Sequence, residues 1–419
     1  MNRIKKFFKI LGPGFITGAS DDDPSGIATY AQTGAQFGYL QLWTTLFTFP
    51  FMTIIQEMCG RIGLVTGRGL AGVIRENYNK TLLYGAVSLL LVANVINIGA
   101  DLGAMAAAGQ LLFKIPFIFW LIGVTIVTLL LQVFVSYPTY AKFLKYLTLS
   151  LFSYVIVVFM VKQDWSQIAW ATLVPYISMD KTYLLNIVAV LGTTISPYLF
   201  FWQADEEVEE ELERGDMKAL GSGRPHIARK AISNMRLDTI IGMLFSNVVA
   251  FFIMITTAST LHKNGIFNIQ TADQVAAALR PLAGDFAYVL FALGILGTGL
   301  LAVPILAGSA SYAVAESMKW HVGLSQKFNQ ARGFYIVIIL ATLVGILINF
   351  TSIHPFQMLY YAAALNGICA PILMVLILMI SNNKKIMGNH TNGLGSNILG
   401  IIIVIVMGAA TLALIFSMI

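Results

Sequence analysis

The sequence predicts an all-α integral membrane protein with about eleven transmembrane helices and no soluble domain of useful length. Hydrophobic residues make up 57% of the 419 residues, charged residues make up 11%, and the mean hydropathy is +0.77. About eleven stretches reach the roughly 20 apolar residues that a helix needs to cross a bilayer. The first and the sixth of these stretches each carry a proline near the centre. These observations indicate a polytopic protein built around two interrupted helices.

The predicted spans are separated by loops that alternate in positive charge. The approximate span centres are Asp23, Phe51, Val95, Val124, Phe152, Ser196, Phe245, Gly294, Leu340, Gly367 and Val406. Basic residues cluster before the first span and after every second span, and include Arg3, Lys5, Lys6, Arg61, Arg68, Arg75, Lys80, Lys142, Lys145, Arg214, Lys218, Arg224, Arg229, Lys230, Lys319, Lys327, Arg332, Lys384 and Lys385. Because cytoplasmic loops are enriched in Lys and Arg, the N-terminus is predicted inside and the C-terminus outside. The net charge of +6 is therefore attributed to topology and not to nucleic-acid binding.

The first span is interrupted by the sequence SDDDPSG at positions 20–26. Three consecutive carboxylates at membrane depth are costly unless they face a cavity or a cation. Pro24 lacks a backbone donor and Gly26 is conformationally permissive, so a continuous helix is not expected here. Irregular backbone at this depth occurs only where it lines a protein-buried or water-filled cavity. The pattern indicates an ion site.

The sixth span repeats this interruption, with the sequence TTISPY at positions 193–198. The two spans are five apart and of opposite predicted orientation, which is typical of an inverted five-plus-five repeat with its site between two discontinuous helices. We predict a single transporter domain over residues 1–419. Its first repeat covers about 8–163 and its second about 184–382, with an additional span at about 395–418.

Several segments resemble one family. GPGFITGASDDDPSGIATYAQTGAQFGY is similar to the first span of the Nramp divalent-metal transporters, whose pattern there is GPGF…DPGN…GAQFGY. IIQEMCGRIGLVTGRGL resembles their second span, GTTISPYLFFWQ lies where the family has its Met-Pro-His motif, and FQMLYYAAALNGICAP resembles their tenth span up to its proline. The resemblance covers essentially the whole chain. It implies a LeuT-type fold and a divalent cation moved by alternating access around the broken helices.

The sequence departs from the family at its metal-binding positions. Asp23 matches the family's ligating Asp, but Gly26 stands where the family has a ligating Asn, and Ser196 replaces the Met whose thioether touches the ion. Next to that Met position, Tyr198 replaces a His. In the third span, Ile98 replaces one of the family's two acids, whereas Asp101 keeps the other. In the tenth span, Ala363 replaces a Gln.

These departures point to a hard ion. Thioethers suit transition metals, whereas carboxylate, hydroxyl, carbonyl and water oxygens suit magnesium, calcium and manganese. Magnesium also sheds water reluctantly, and the small residues Gly26 and Ser196 leave room for a retained hydration shell. Asp21 and Asp22 add carboxylates that the family generally lacks. The chain thus looks like the Nramp-related magnesium transporters, a branch without the Asn and Met ligands.

The metal-site prediction places Asp23 as the central ligand, directly or through water. Ser196 is expected to supply a hydroxyl or a water contact, and Asp22 to assist in the outer vestibule. Backbone carbonyls near Ser20 and Thr193 match the carbonyl ligands that the resemblance implies. Three residues are assigned to gating or permeation: Asp101, Asn97 and Tyr198.

A polar face on the third span has two open interpretations. Asn94, Asn97 and Asp101 lie at i, i+3 and i+7, so they share one side of the helix. Ionisable residues in spans are often functional, which favours permeation or gating. Polar residues in spans also link helices by hydrogen bonds, which favours a structural role.

Three charged segments are expected to be structural. Glu57 and Arg61 have the i, i+4 spacing of a helix-surface ion pair. Asp238 and Arg236 are interpreted in the same way, at the inner mouth. The stretch ADEEVEEELERGD, residues 204–216, is interpreted as the solvated end of the sixth helix in preference to an electrostatic funnel for cations.

The expected function is uptake of a divalent cation into the cytoplasm, magnesium first and also manganese, without strict proton coupling. The alternatives are a proton-coupled manganese or iron importer of the Nramp family and, distantly, an intramembrane aspartyl protease. The protease rests on Asp23 and Asp101 alone, and its GxGD pattern is absent. No enzymatic activity and no resident cofactor are expected. The expected partners are divalent cations as substrate and the bilayer of a plasma membrane of the bacterial inner-membrane type, without nucleic acid, and a monomer is one option.

Overall fold

The computed structural model describes residues 12–135, 151–215, 217 and 229–418, and every regular element in these ranges is helical. The helices of the first half are α1 (Pro13–Asp21), α2 (Pro24–Phe37), α3 (Trp43–Thr66), α4 (Leu70–Asn77), α5 (Lys80–Phe113), α6 (Phe117–Phe134), α7 (Phe152–Met160) and α8 (Trp165–Leu173). Those of the second half are α9 (Lys181–Thr194), α10 (Pro197–Arg214), α11 (Arg229–Thr260), α12 (Ala272–Ala277), α13 (Arg280–Ala283), α14 (Ala287–Ser317), α15 (Arg332–Ile346), α16 (Pro355–Asn382), α17 (Lys384–Met387) and α18 (Leu394–Met418).

Each of the eleven predicted span centres falls in one of these helices or at a helix break. Eight segments of the described residues are long and apolar enough to cross a bilayer. The first span is not among them because its two parts have only 9 and 14 residues. The predicted all-α membrane fold is confirmed. Basic residues before position 12 and in 136–150 and 218–228 lie outside the described residues, so the membrane orientation and the repeat boundaries stay predictions.

Both predicted helix breaks are present, and each has the same local construction. Asp23 (φ −67°, ψ 172°) and Ser196 (φ −81°, ψ 133°) are extended, and a proline follows each as the first residue of the next helix. Proline disfavours helical backbone in the residue before it and is preorganised for the first helical turn. A proline therefore ends one half-helix and begins the next at both sites.

The half-helix α1 packs unusually closely on α11. A Cβ on Gly14 would lie 2.6 Å from the Thr239 nitrogen, and a Cβ on Gly18 would clash with the backbone of Gly242. Asp238 of α11 also accepts hydrogen bonds from the first amides of α1, at 2.9 Å from Gly12, 2.7 Å from Gly14 and 3.2 Å from Phe15.

The expected pairing of Asp238 with Arg236 is therefore wrong. The Asp238 carboxylate caps the start of α1, where an acid is favoured by the exposed amides and the helix dipole. Arg236 turns instead to Glu57 of α3, at 2.8 Å.

The Glu57–Arg61 pair forms as predicted, but it is buried and not on the helix surface. Arg61 Nε lies 2.9 Å from Glu57 Oε1, and the two side chains are 2% and 7% exposed. The same guanidinium donates to the His390 carbonyl and to Asn392 Oδ1, 329 and 331 residues away. The pair thus joins α3 to the segment between α17 and α18, which a pattern confined to one helix cannot reveal.

Replacing Arg61 by Met should be far more damaging than replacing Arg236 by Met, although both arginines contact the same Glu57 oxygen. Arg61→Met removes a buried partner of a buried charge, so we expect a loss of about 3 kcal/mol in unfolding free energy. The Arg236 side chain is 53% exposed, and exposed pairs are worth about 1 kcal/mol or less. Denaturant unfolding in detergent would compare the variants. Equal losses would contradict the buried role of Arg61.

The interpretation of residues 204–216 as a solvated face is wrong. The segment does form the end of α10 as far as Arg214, but Asp205, Glu207, Glu209 and Glu211 are all buried. Glu209 accepts hydrogen bonds from the Tyr312 hydroxyl at 2.7 Å and the Leu324 amide at 3.1 Å. Gly63 of α3, Gly69 before α4 and Tyr312 of α14 lie against this part of α10, so high charge density does not indicate exposure here.

Candidate metal site

Asp23 lies between α1 and α2, and it is 1% exposed. Its Oδ1 accepts hydrogen bonds from the Gly26 amide at 2.6 Å and the Ser25 hydroxyl at 2.7 Å, so one oxygen caps α2. Its Oδ2 lies 3.5 Å from the Tyr198 hydroxyl of α10. The carboxylate therefore has one structural oxygen and one oxygen that faces the second broken helix.

Gly26 leaves a small space that is bounded by oxygen atoms from both broken helices. A Cβ at this position would lie 3.0 Å from the Asp21 carbonyl oxygen, 3.3 Å from Thr193 Oγ1 and 3.4 Å from Asp23 Oδ1. Thr193 Oγ1 is buried and has no hydrogen-bond partner among the described residues. Gly26, Thr193 and Asp23 are thus brought together as predicted, although Thr193 contributes its hydroxyl to this space.

Ser20 and Ser196 use their hydroxyls to bond their own helices. Ser196 Oγ donates to the carbonyls of Gly192 and Thr193 at 2.8 and 2.7 Å, and Ser20 Oγ donates to the Ile16 carbonyl at 2.7 Å. The Ser20 carbonyl accepts from the Tyr198 hydroxyl at 3.1 Å. Ser196 therefore offers a ligand only the lone pairs of its hydroxyl oxygen. The Ser20 carbonyl and Asp23 Oδ2 both contact the Tyr198 hydroxyl.

Asp22 does not lie in an outer vestibule, contrary to expectation. Asp21 and Asp22 are both completely buried, and the Ser246 hydroxyl of α11 lies 2.6 Å from Asp21 Oδ2 and 3.3 Å from Asp22 Oδ1. The backbone turns at Asp22 (ψ 46°), immediately after α1 ends. This turn places both carboxylates against α11, inside the bundle.

An outer cavity of about 220 Å³ lies along α2 on the side that the charge pattern assigns to the outside. It is lined by side chains of α2, α9 and the start of α16, including Ala28, Gln32, Thr182, Gln357 and Tyr360. Ala28 is five residues beyond Asp23, which is about 7.5 Å along a helix. The cavity thus extends along α2 from its C-terminal half towards the break.

Comparisons with known proteins decide the family. The family described as "Natural resistance-associated macrophage protein-like" (Nramp) matches residues 14–417. This chain belongs to the Nramp family.

Relatives named "Divalent metal cation transporter MntH" match the chain over nearly its whole length. The protein from Caldanaerobacter subterraneus subsp. tengcongensis is 25% identical over 409 residues, covering 96% of this chain and 91% of the relative. The Klebsiella pneumoniae protein is 25% identical over 410 residues, covering 94% and 92%. The Nramp chain is accordingly a membrane transporter and not an enzyme, which excludes the protease alternative.

Solved structures support the fold. A manganese transporter from Eremococcus coleocola has a TM-score of 0.75 at 19% identity, covering 98% of this chain and 87% of that chain. Mhp1, a nucleobase-cation-symport-1 family transporter, has a TM-score of 0.59 at 11% identity, covering 98% and 91%. At these identities the likeness concerns the fold alone, and it confirms the predicted LeuT-type architecture.

The polar face of the third span in this Nramp protein divides into two parts. Asn97 exchanges hydrogen bonds with Asn366 of α16 at 2.9 and 3.2 Å, and Asn94 donates to the Leu306 carbonyl of α14 at 2.9 Å. These two asparagines therefore link helices, as the structural interpretation expected. Asp101 is completely buried and lies near Asp23 and the Ser25 backbone at the break, and neither of its carboxylate side-chain oxygens is assigned a hydrogen-bond partner among the described residues.

Sequence reasoning missed Ser246 and Asn366, which contact predicted site residues. Ser246 lies in an apolar stretch of α11, and a single serine in such a stretch carries no signal of its own. Asn366 lies three residues beyond Ala363, the tenth-span position that the resemblance indicates. A polar residue in an apolar span was the available signal for Asn366.

Proposed function

We propose that this protein carries divalent cations into the cytoplasm, with magnesium preferred and manganese accepted, and that the ion binds at the break beside Asp23 with part of its water shell. Membership of the Nramp family and the name of its MntH relatives support divalent-metal transport. The preference for magnesium is argued from the chemistry of the residues at the break.

The observation that carries the proposal is the oxygen-bounded space at Gly26. Its nearest atoms are a carbonyl, a hydroxyl and a carboxylate oxygen, from Asp21, Thr193 and Asp23. Hard ions such as magnesium prefer such oxygen ligands. A carbonyl of Asp21 and a lone pair of Ser196 would supplement Asp23 without any soft donor.

Water completes the proposed coordination shell. No group of three or more His, Cys, Asp or Glu side chains in the described residues is arranged to hold a metal ion. A bare six-coordinate ion would therefore lack side-chain ligands, whereas magnesium usually keeps several waters and binds one or two carboxylates. The small residue at position 26 is consistent with a hydrated substrate.

The buried charge at the break also favours a cation. Asp21 Oδ1, Asp22 Oδ2 and both oxygens of Asp101 are buried without hydrogen-bond partners in the described part of the chain. Burying an ionised carboxylate without a partner costs roughly several kcal/mol of folding free energy. The last residues of α1 and α9 both border Gly26, through the Asp21 carbonyl and Thr193 Oγ1, and the C-terminal helix ends add partial negative charge. A divalent cation would offset this charge, as would protons.

A second candidate is a proton-coupled manganese importer. The relatives that match the chain over more than nine-tenths of its length are named as divalent metal cation transporters, and the solved Eremococcus coleocola structure is named as a manganese transporter. Against proton coupling stand Tyr198, with an ordinary pKa of about 10 for its side-chain type, and Ile98, which cannot carry a proton. Asp101 is the one acid that matches the family at those positions.

Proteoliposomes that contain a pH dye test both the substrate and the coupling. We expect magnesium uptake driven by an inside-negative potential, without luminal acidification in proportion to the ion flux. The potential is worth about 2.3 kcal/mol per charge per 100 mV, so a divalent ion gains about twice that. Manganese, measured in the same preparation, should also be taken up.

Proportional acidification that Asp101→Asn stops would show that Asp101 carries protons and would favour the manganese importer. If uptake of manganese proceeds and magnesium is rejected, the proposed preference is wrong whatever the proton flux.

A further inference from the structure

A second cavity, of about 720 Å³, lies where α4, the start of α5 and the end of α14 meet, apart from the broken helices. Four basic side chains line it: Arg68, Arg75, Lys80 and Lys319. The charge pattern assigns this end of the protein to the cytoplasm. We call this the basic cavity.

The two carboxylates of the basic cavity are already engaged. Glu76 lies 2.7 Å from Arg68 and 3.7 Å from Arg75. Glu316 is buried, and its two oxygens accept hydrogen bonds from the amides of Gly69 and Gly72 at 2.9 and 2.8 Å. These contacts hold the loop before α4 in place and give both carboxylates partners within the protein.

Lys80 and Lys319 are differently placed from the arginines. Both are exposed, and neither forms an ion pair within the described ranges. Subtracting the two carboxylates from the four cations leaves a net charge of about +2, and it resides on these lysines. Two cations that line one cavity without forming ion pairs attract an anion, and each phosphate oxygen can accept a hydrogen bond from an ammonium group.

Lys319 also has an unfavourable backbone conformation. Its φ is +61°, and it is one of two non-glycine residues in the described part of the chain with positive φ, the other being Lys114. Glycine would adopt this conformation without steric cost, whereas lysine does so with strain. A lysine here costs some backbone strain relative to glycine, and the dipole at the end of α14 favours its positive charge.

Two aromatic side chains place the basic cavity at the membrane interface. Tyr84 and Trp320 line it and are 45% and 47% exposed. Such half-exposed Tyr and Trp are typical of the headgroup level of a bilayer. A water-soluble anion needs no such flanking rings, whereas a lipid presents its glycerol region beside its phosphate.

We propose that the basic cavity binds the phosphate-bearing headgroup of an anionic phospholipid of the cytoplasmic leaflet. Lys80 and Lys319 contact the phosphate, and Tyr84 and Trp320 flank the glycerol region. Basic pockets between transmembrane helices on this side of the membrane recognise anionic headgroups in this way. The lipid would thereby bridge the start of α5 and the end of α14.

Native mass spectrometry of the full-length protein tests this directly. The protein is incubated with equal amounts of phosphatidylglycerol and phosphatidylcholine that carry the same acyl chains. We expect preferential retention of phosphatidylglycerol, reduced in Lys80→Gln/Lys319→Gln by about fivefold for each lysine removed. The control is Lys162→Gln/Lys263→Gln, which removes two exposed lysines from loops assigned to the outside and should leave retention unchanged.

Lys319→Gly separates lipid binding from folding. Because glycine accepts positive φ, this variant should be at least as heat-stable as the wild type in detergent while retaining less phosphatidylglycerol. Unchanged retention in both Lys319→Gly and the double glutamine variant would overturn the proposal. Displacement of phosphatidylglycerol by an equal concentration of inorganic phosphate would overturn the assignment to a lipid and indicate a free-phosphate site.

Discussion

Asp23→Ala should abolish divalent-cation uptake, and Asp23→Asn should abolish it as well. Asp23 contributes Oδ1 to the space at Gly26 and presents Oδ2 towards Tyr198 of the second broken helix. Asn has a neutral amide in place of that charge, so it loses the Coulomb attraction to a divalent ion. We expect uptake to fall by about two orders of magnitude or more. This corresponds to a loss of about 3 kcal/mol in ion binding, since each 1.4 kcal/mol changes an affinity tenfold.

The competing explanation is that Asp23 merely caps α2. It does cap this helix, through the Gly26 amide. Asn caps as well as Asp, so Asp23→Asn should retain the thermal stability of the wild type. Near-normal magnesium and manganese uptake by Asp23→Asn would remove the proposed site.

Asp180 offers a matched control for this test. It caps α9, the first half of the other broken helix, by accepting from the amides of Thr182 and Tyr183 at 2.9 and 3.2 Å. It is exposed at the far end of that helix from Ser196. Asp180→Asn therefore makes the same chemical change at a cap away from the break, and uptake should be unaffected. A similar loss of uptake in both variants would assign the effect to capping.

The helix breaks, the membrane spans and the carboxylate cluster were predictable because each depends on residues that are adjacent in the sequence. The prolines at 24 and 197 lie at the helix breaks together with neighbouring small and polar residues, whereas Pro50, Pro304 and Pro371 lie inside continuous helices. Apolar stretches of span length are recognised without any distant partner. The three carboxylates at 21–23 likewise indicate an ion site, because charged side chains are costly in lipid.

The contacts that sequence reasoning missed are long-range. Asp238 caps α1 from 224 residues away, and Arg61 bonds the His390 carbonyl across 329 residues. An exposed ion pair and a buried one have the same i, i+4 spacing. The neighbouring helices decide which of the two forms, and the spacing does not reveal them. Burial of Asp205 and Glu209 depends in the same way on α14 and its flanking segments, which local charge density does not encode.

Gly26→Asn/Ser196→Met should shift selectivity from magnesium towards manganese and cadmium. Together the substitutions restore the two ligands that the Nramp resemblance places at these positions. The new Asn occupies the space between the Asp21 carbonyl and Thr193 Oγ1, and its bulk displaces water that magnesium retains. The thioether adds a soft donor. We expect the manganese-to-magnesium uptake ratio to rise by about tenfold, or about 1.4 kcal/mol of discrimination.

Gly26→Asn/Ser196→Leu is the matched control, because Leu has nearly the volume of Met without its sulfur. Ser196 is buried and bonds the carbonyls of Gly192 and Thr193, so both variants lose the same hydroxyl and gain similar bulk. If the thioether acts as a ligand, cadmium uptake should rise in the Met variant alone, whereas loss of magnesium uptake should occur in both. An unchanged manganese-to-magnesium ratio in a Met variant that folds and transports would contradict the proposal. The small residues at 26 and 196 would then not set the ion preference, and selectivity would have to arise from the carboxylates of Asp21, Asp22 and Asp101.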